Sequence, residues 1–391
     1  YNADNSSASI EQSNYVGKTG NGAEIQQHDG YSLDASIVQE STVNDTALID
    51  QTGFSQTASI HQKNYNVRGD TAITQTGNDN LAEIDQTWSG GSSAAVIQAG
   101  NDNVAGIDQY NSDDSSADID QNGSSLVANI SQKNAPGVGQ GKGNDADIIQ
   151  TGSTNGATID QDGYQNVASV TQSDSDNNAS ASQTGDANSA TVTQTGIEQT
   201  ATVTQTSDNS MALVTQAGAS NDATVTQMGD GNSATVDQTG VNQLATVDQD
   251  NNVNTANVTQ SGSDQIAGVN QSGNANTATA TQVDSLNEAY ILQAGDGNSA
   301  TVDQSGSNQL ANINQSGDLN VSDILQSAEL NSADIIQSGD YNDADIDQSG
   351  NSNMASISQS GLGIDGSMNM ASIAQFASSD VASIIQMGGA G

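Results

Sequence analysis

The residues of this chain that recur at a fixed spacing and can do chemistry are glutamines, and the chemistry open to an amide is hydrogen bonding. The pattern Ala-x-[Ile/Val]-x-Gln closes the stretch from Gln227 to Gln238 and returns along the chain from Ala8 to Gln386. An amide carries matched donors and acceptors, so it can bond to an identical amide placed above or below it. The pattern therefore points to recognition between repeated units rather than to bond making or breaking.

Side chains suited to acid–base or metal chemistry give no such pattern. The only histidines, His28 and His61, lie in different local settings, and His61 takes an outward position beside Gln62. The 47 acidic residues are too many to single out a catalytic pair. Glycines recur as turn formers, so no phosphate-binding loop is indicated. We expect no enzymatic activity, no cofactor and no metal site.

Each repeated unit has the pattern of one β-strand. In the unit that ends at Gln238, the residues Asn232, Ala234 and Val236 lie two apart, and Ser, Thr and Asp stand between them. A period of two with unlike faces is typical of a strand that is buried on one side. We therefore predict an inward column of Asn, Ala, Val or Ile, and Gln, and an outward column of polar residues.

A tight turn is predicted after every strand. Aligned on the closing Gln, the chain contains thirty-three units, and the spacing is eleven residues without exception from Gln150 to Gln359. Two residues after that Gln stands Gly in most units and Asn or Asp in most others, and these residue types tolerate positive φ. The predicted turn glycines include Gly185, Gly229, Gly240, Gly306 and Gly350.

Two strands and two turns bring the chain back to its starting side one rung higher. Odd strands then form one sheet and even strands a facing sheet. The predicted fold class is all-β, a cross-β and amyloid-like two-sheet β-solenoid of about 16.5 rungs, with two strands in each repeat of 22 to 23 residues. Stacked amides satisfy one another between rungs, which makes an otherwise costly buried group a lock on the strand register. The predicted ladder core comprises Asn232, Ala234, Val236, Gln238, Gln183, Gln194, Gln205, Gln216, Gln227, Gln249, Gln260 and Gln271.

Composition excludes several classes of protein. With 3% aromatic and 33% hydrophobic residues and a formal charge of −42, the chain would be assigned to disorder if it lacked its strict period. The negative charge argues against nucleic acid and anionic membranes as partners. No apolar run is long enough to insert into a bilayer. All five basic residues lie in the first 142 positions.

The regularity of the units changes along the chain. We predict one continuous solenoid with irregular spacing over 1–132, a loop rich in Gly, Pro and Lys over 133–145, and a regular array over 146–359. The last part, 360–391, holds two units, a loop insertion and a Gly-rich tail.

The unit resembles the curlin repeat. Gln227, Gly229, Asn232, Ala234 and Gln238 reproduce the pattern Q-x-G-x-x-N-x-A-x3-Q of that family. The resemblance is to a curli major subunit with an unusually large number of repeats. It implies a bacterial cell-surface fibre, a functional amyloid of the extracellular biofilm matrix. It also implies a nucleator subunit and an outer-membrane secretion pore as partners.

The terminal units fit the internal consensus, so neither has the sequence of a cap. A heterologous contact that does not close makes a filament, which predicts head-to-tail polymerisation of the chain with itself. The predicted polymerising ends are Ala8, Ile10 and Gln12 at one end and Ala382, Ile384 and Gln386 at the other.

Two other functions fit a secreted monomeric solenoid. Outward Thr-x-Thr pairs suggest an ice-binding surface, although Thr191 and Thr193 are followed on the same face by Leu213. Abundant Asp suggests an adhesin that binds Ca²⁺, although the Gly-Gly-x-Gly-x-Asp nonapeptide is absent. A self-assembling fibre subunit remains the prediction that accounts for the amides.

Overall fold

A computed structural model describes residues 5–14, 20–64, 68–134, 143–361 and 369–387. The described residues form thirty-three strands, the number of units in the sequence alignment, and they contain no helix. Most of the predicted 133–145 loop and the Gly-rich tail lie outside the described residues. The chain divides into two compact units, Tyr1–Glu198 and Gln199–Gly391. The predicted division at residues 132, 145 and 359 stays a prediction.

The first unit contains sixteen strands. They are β1 Ser7–Asn14, β2 Gly22–Tyr31, β3 Asp34–Thr42, β4 Thr46–Phe54, β5 Thr57–Lys63, β6 Asp70–Asn78, β7 Leu81–Thr87, β8 Ser93–Asn101, β9 Val104–Tyr110, β10 Ser116–Ser124, β11 Val127–Lys133, β12 Asp145–Ser153, β13 Gly156–Asp162, β14 Val167–Ser175, β15 Asn178–Thr184 and β16 Ser189–Ile197.

The second unit contains seventeen strands. They are β17 Thr200–Thr206, β18 Met211–Ala219, β19 Asp222–Met228, β20 Ser233–Val241, β21 Leu244–Asp250, β22 Thr255–Ser263, β23 Ile266–Ser272, β24 Thr277–Ser285, β25 Glu288–Ala294, β26 Ser299–Ser305, β27 Leu310–Ser316, β28 Val321–Ser327, β29 Ser332–Ser338, β30 Asn342–Gln348, β31 Met354–Ser360, β32 Asn369–Gln375 and β33 Val381–Met387.

Each unit is a two-sheet parallel β-solenoid, which confirms the predicted fold class. Within a unit, every strand pairs with the strand two positions away in the chain, so odd and even strands form separate sheets. Equivalent residues pair with each other: Ala234 pairs with Ala256 and Gln238 with Gln260 across β20 and β22. In-register parallel pairing places identical side chains above one another, which is the arrangement of a cross-β ladder.

The core between the two sheets is built from one face of every strand. In β20 the buried residues are Ala234, Val236 and Gln238, and the residues between them point outward. Small Ala and branched Val or Ile form continuous apolar columns, and Asn and Gln lie on either side of them. This alternation follows directly from the period of two in the sequence.

Most turns take positive φ at two positions rather than one. Gly229, two residues after Gln227, has a φ of 111°, and a Cβ there would lie 2.2 Å from the carbonyl oxygen of Asn251 in the next rung. The position four residues after the Gln is also left-handed, and it accepts Val253 with a φ of 62°. The sequence analysis predicts the first position and misses the second.

Candidate functional site

Glutamine amides form continuous ladders along each unit. In the second unit the Nε2 of Gln238 donates to the Oε1 of Gln260 at 2.8 Å, and the Nε2 of Gln227 donates to that of Gln249 at 2.9 Å. In the first unit Gln161 donates to Gln183 at 2.9 Å. The direction is the same in all these bonds between described residues: the earlier Gln donates to the equivalent residue of the following rung. Bonds of this kind also join Gln172 to Gln194, Gln205 to Gln227, Gln216 to Gln238 and Gln249 to Gln271.

The same amides join the two sheets. The Nε2 of Gln238 in β20 also donates to the carbonyl oxygen of Asp222 in β19, at 3.1 Å. Gln249 in β21 likewise donates to the carbonyl oxygen of Ser233 in β20, at 3.1 Å. One hydrogen bond therefore runs along the ladder and one crosses the core. A shift in the register of one rung would break several such bonds at once. Each broken bond would leave a buried amide without a partner, which is costly.

Most residues of the asparagine column bond to the backbone of the next rung. The Nδ2 of Asn232 donates to the carbonyl oxygen of Asn251 at 2.7 Å, and its Oδ1 accepts from the backbone N–H of Asn254 at 2.9 Å. The expected amide-to-amide stacking therefore describes the Gln ladder, and in the Asn column it holds for only a few pairs, such as Asn342 with Asn320 at 3.0 Å. The shorter Asn side chain reaches the turn, where it satisfies backbone groups of the next rung.

Glutamine does not replace asparagine fully in this column. Gln309 keeps the donor role, since its Nε2 bonds to the carbonyl oxygens of Ser305 at 3.2 Å and Ala328 at 2.6 Å. Its Oε1 is buried and has no hydrogen-bond partner among the described residues. Gln56 shows the same arrangement in the first unit. The extra methylene group thus costs the bond that Oδ1 of Asn makes.

The predicted turn glycines differ in how strictly they need to be glycine. Gly185, Gly229, Gly240 and Gly306 have φ values of 109°, 111°, 148° and 123°. Gly350 lies in a bend after β30, and its φ lies outside the left-handed region, whereas the sequence predicts a positive φ there. A Cβ at Gly350 would nonetheless lie 2.0 Å from the carbonyl oxygen of Ala377. Close approach of successive rungs is therefore the common requirement.

The first and last described strands expose side chains that are buried elsewhere. In β1, 47% of Ile10 is exposed, whereas its neighbour in the ladder, Ile37, is fully buried. Ala8 and Gln12 are also exposed. In β33 the inward residues Ala382, Ile384 and Gln386 are half-buried. The described residues place no strand on the outer edge of either β1 or β33.

The repeat matches the model of a known family. The curlin associated repeat matches residues 141–173, 152–185, 175–206, 185–218, 218–250, 285–306 and 331–361. The chain belongs to the curlin-repeat family. No curated protein sequence matches it. The amide ladders and turn glycines are the positions that define the repeat, so this curlin-repeat protein owes its family pattern to the contacts between rungs.

The outward face of this curlin-repeat protein carries aspartates stacked on one another. Burial raises the pKa of Asp108, and the neighbouring Asp85 raises it further. Burial likewise raises the pKa of Asp147, with Asp118 on the adjacent strand as the next cause. Protonation relieves these contacts, because like charges on adjacent strands repel.

One carboxyl group is placed inside the solenoid. Asp45 is fully buried and occupies the asparagine column beside β4. Its Oδ1 accepts the backbone N–H of Gly69 at 2.8 Å, while its Oδ2 has no partner among the described residues. Burial raises the pKa of Asp45 to about 6, and the hydrogen bonds from Gly69 and Thr42 oppose that rise. When it is protonated, the carboxyl group of Asp45 can donate a hydrogen bond, as the Asn side chain does elsewhere in this column.

The described residues contain no cluster of His, Cys, Asp and Glu that could hold a metal ion. The Nε2 of His28 lies 3.8 Å from a carboxylate oxygen of Asp50 on the surface, and His61 lies outward on β5. The part of the chain that the structure describes has no helix of the length and apolarity needed to cross a membrane. Curlin repeats on a β-solenoid are a structural arrangement and fit a curli-like subunit.

Proposed function

We propose that the protein is the structural subunit of an extracellular curli-like amyloid fibre and that it polymerises head to tail. The observation that carries this proposal is the fixed direction of the glutamine ladders. The Nε2 of Gln12 donates to Gln39, so the Oε1 of Gln12 faces away from the unit as an acceptor. At the other end Gln359 donates to Gln386, and one N–H of Gln386 remains for a following rung.

A ladder with acceptors at one end and donors at the other fits a second copy in one orientation only. Because the described strands number thirty-three, the last rung is half filled, and β1 of the next copy completes it by stacking on β32 while its β2 stacks on β33. This continues both the backbone ladder and the amide ladder. It also covers the exposed part of Ile10 and the half-buried Ile384. A contact that repeats without closing produces a filament with its strands across the fibre axis. The same edges facing each other head to head would oppose acceptor to acceptor.

Membership of the curlin-repeat family suggests an extracellular surface fibre, and we assign the subunit to the biofilm matrix and to surface adhesion on that ground. A nucleator subunit and an outer-membrane secretion pore are the partners that such a fibre calls for. A structural role is also consistent with the outward carboxylates, which keep the surface of the subunit hydrated. Ice binding receives no support from the outward array of the second unit, in which Leu213 and Asp237 interrupt Thr215 and Thr235.

Seeded elongation tests the head-to-tail contact. Ile10→Asp puts a charge into the proposed contact at a residue that is already 47% exposed and that pairs with Ile37 of β3. Thr235→Asp is the matched control, since it adds the same charge on an outward position of β20. We expect Ile10→Asp to slow elongation about tenfold or more, the equivalent of roughly 1.4 kcal/mol, and Thr235→Asp to change it little. Equal rates for the two variants would overturn the proposed contact.

A further inference from the structure

Gly268 is a position without a side chain in the middle of an outward strand face of the second unit. Gly268 in β23 pairs with Thr246 in β21 on one side and with Tyr290 in β25 on the other. The missing side chain leaves a cavity of about 430 Å³. A volume of this size falls within the range of small-ligand sites. We call this cavity the Gly268 groove.

An aromatic ring forms one wall of the Gly268 groove. A Cβ added at Gly268 would lie 3.2 Å from the Cδ1 of Tyr290, so the ring leans over the glycine. The hydroxyl of Tyr290 donates to the Oε2 of Glu288 at 3.3 Å, and 40% of Tyr290 is exposed. An accessible aromatic face is a platform for flat apolar surfaces.

Polar groups surround that platform. Asn270, Asn312 and Asn314 line the groove from the outward face of β23 and β27. Asp248 lines it from β21, and its Oδ1 is buried without a hydrogen-bond partner among the described residues. The site therefore offers three amides, which both donate and accept, beside a carboxylate that adds negative charge.

The charge of the chain restricts the ligand. No Lys or Arg occurs after Lys142, and the formal charge of the whole chain is −42. An anionic ligand would meet Asp248 and Glu288 without a compensating cation. A ligand that suits the groove carries an apolar face for the ring and several hydroxyl groups for the amides.

We propose that the Gly268 groove binds neutral pyranose rings of a polysaccharide. One face of a pyranose ring presents C–H groups that pack on Tyr290, and its hydroxyls reach the amides of Asn270, Asn312 and Asn314. The groove crosses four strands from β21 to β27, on the order of 14 Å at the usual strand spacing. That length accommodates a run of linked rings rather than a single sugar. The groove lies on internal strands, so it does not depend on the polymerisation proposed above.

Binding of defined oligosaccharides to the full chain tests the proposal. The probes are cellohexaose and maltohexaose as neutral chains, glucose as a single ring, and polygalacturonate as an anionic chain, each measured by calorimetry. Gly268→Thr fills the groove on a residue with no left-handed φ, where a β-branched side chain suits the strand. Gly106→Thr is the matched control, because Gly106 is an outward glycine of β9 with a separate cavity lined by acidic residues.

We expect at least one neutral hexaose to bind, and Gly268→Thr and Tyr290→Ala to weaken that binding about tenfold or more, whereas Gly106→Thr leaves it unchanged. Failure of both hexaoses to bind at millimolar concentration would overturn the proposal. So would equal binding by Gly268→Thr, or equal weakening by Gly106→Thr. Glucose binding as tightly as the hexaoses would overturn the assignment to a chain, and equally tight polygalacturonate would overturn the assignment to a neutral sugar.

Discussion

Replacing one ladder glutamine by an apolar residue of similar size should weaken the solenoid locally and measurably. Gln260 in β22 accepts from the Nε2 of Gln238 at 2.8 Å, donates to the Oε1 of Gln282 at 2.8 Å, and donates to the carbonyl oxygen of Leu244 at 3.1 Å. Gln260→Leu removes all three bonds. It leaves one N–H of Gln238 and the Oε1 of Gln282 buried and unpaired.

The size of the effect follows from two opposing contributions. Each orphaned buried group costs about 1–3 kcal/mol, and two of them cost about 2–6 kcal/mol. Burying a leucine side chain returns about 2 kcal/mol. The net loss should be about 0–4 kcal/mol of local opening free energy, with a midpoint of about 2 kcal/mol. Since about 1.4 kcal/mol corresponds to a factor of ten, amide hydrogen exchange should accelerate about thirtyfold at that midpoint.

Hydrogen exchange followed by mass spectrometry reports on the strands concerned, β20, β22 and β24. Thr259→Leu is the control, because Thr259 is the preceding residue of the same strand and points outward. The reasoning predicts that exchange accelerates in these three strands for Gln260→Leu and hardly changes for Thr259→Leu. Equal exchange in the two variants would refute the ladder as a source of stability. Adding Gln282→Leu to the first variant should cost less than Gln282→Leu alone, since its partner is already lost.

Three further predictions concern the turns, the asparagine column and the buried acid. Gly229→Ala should destabilise the solenoid by several kcal/mol and lower its urea midpoint, because the new methyl group meets the backbone of the next rung. Gly231→Ala is the control, since its methyl group meets nothing closer than 3.8 Å. It should cost only about 1 kcal/mol of left-handed strain. Gln309→Asn should raise the urea midpoint by the equivalent of about 1 kcal/mol, since the shorter amide restores an acceptor to the next rung; an unchanged or lower midpoint would contradict the length argument. The pKa of Asp45 is about 6 in the folded chain and 3.8 ordinarily, so the folded state holds the proton more tightly, and stability should rise as the pH falls from about 6 towards 4. Asp45→Asn should raise stability at pH 7 and reduce this part of the pH dependence, and an unaltered profile would show that Asp45 is not its source.

The strands and the glutamine ladders are predictable from the sequence because both depend on its period. In-register stacking requires only that Gln returns at one phase, as Gln227, Gln238 and Gln249 do. The second left-handed turn position is not predictable in this way. Val253 and Leu286 occupy it with φ values of 62° and 58° although neither residue favours that conformation. Pairing with the rungs on either side imposes this turn conformation, so the conformational preferences of the turn residues do not predict it.

The Gly268 groove and the role of asparagine also required the structure. A single Gly within a strand pattern marks only a weakened strand or a close approach. Its meaning here comes from Tyr290, which is 22 residues away in the chain and adjacent in the sheet. Asn and Gln have the same amide group, and only the contacts in the structure distinguish Asn232, which reaches the turn, from Gln238, which reaches the next Gln.

Fibre diffraction from aligned filaments of the purified chain tests the central claim most directly. The chain is diluted from denaturant, and the filaments that form are oriented and exposed. The account predicts a meridional reflection near ~4.8 Å, with strands perpendicular to the fibre axis. A chain that remains a soluble monomer, or filaments that lack this reflection, would contradict head-to-tail continuation of the solenoid.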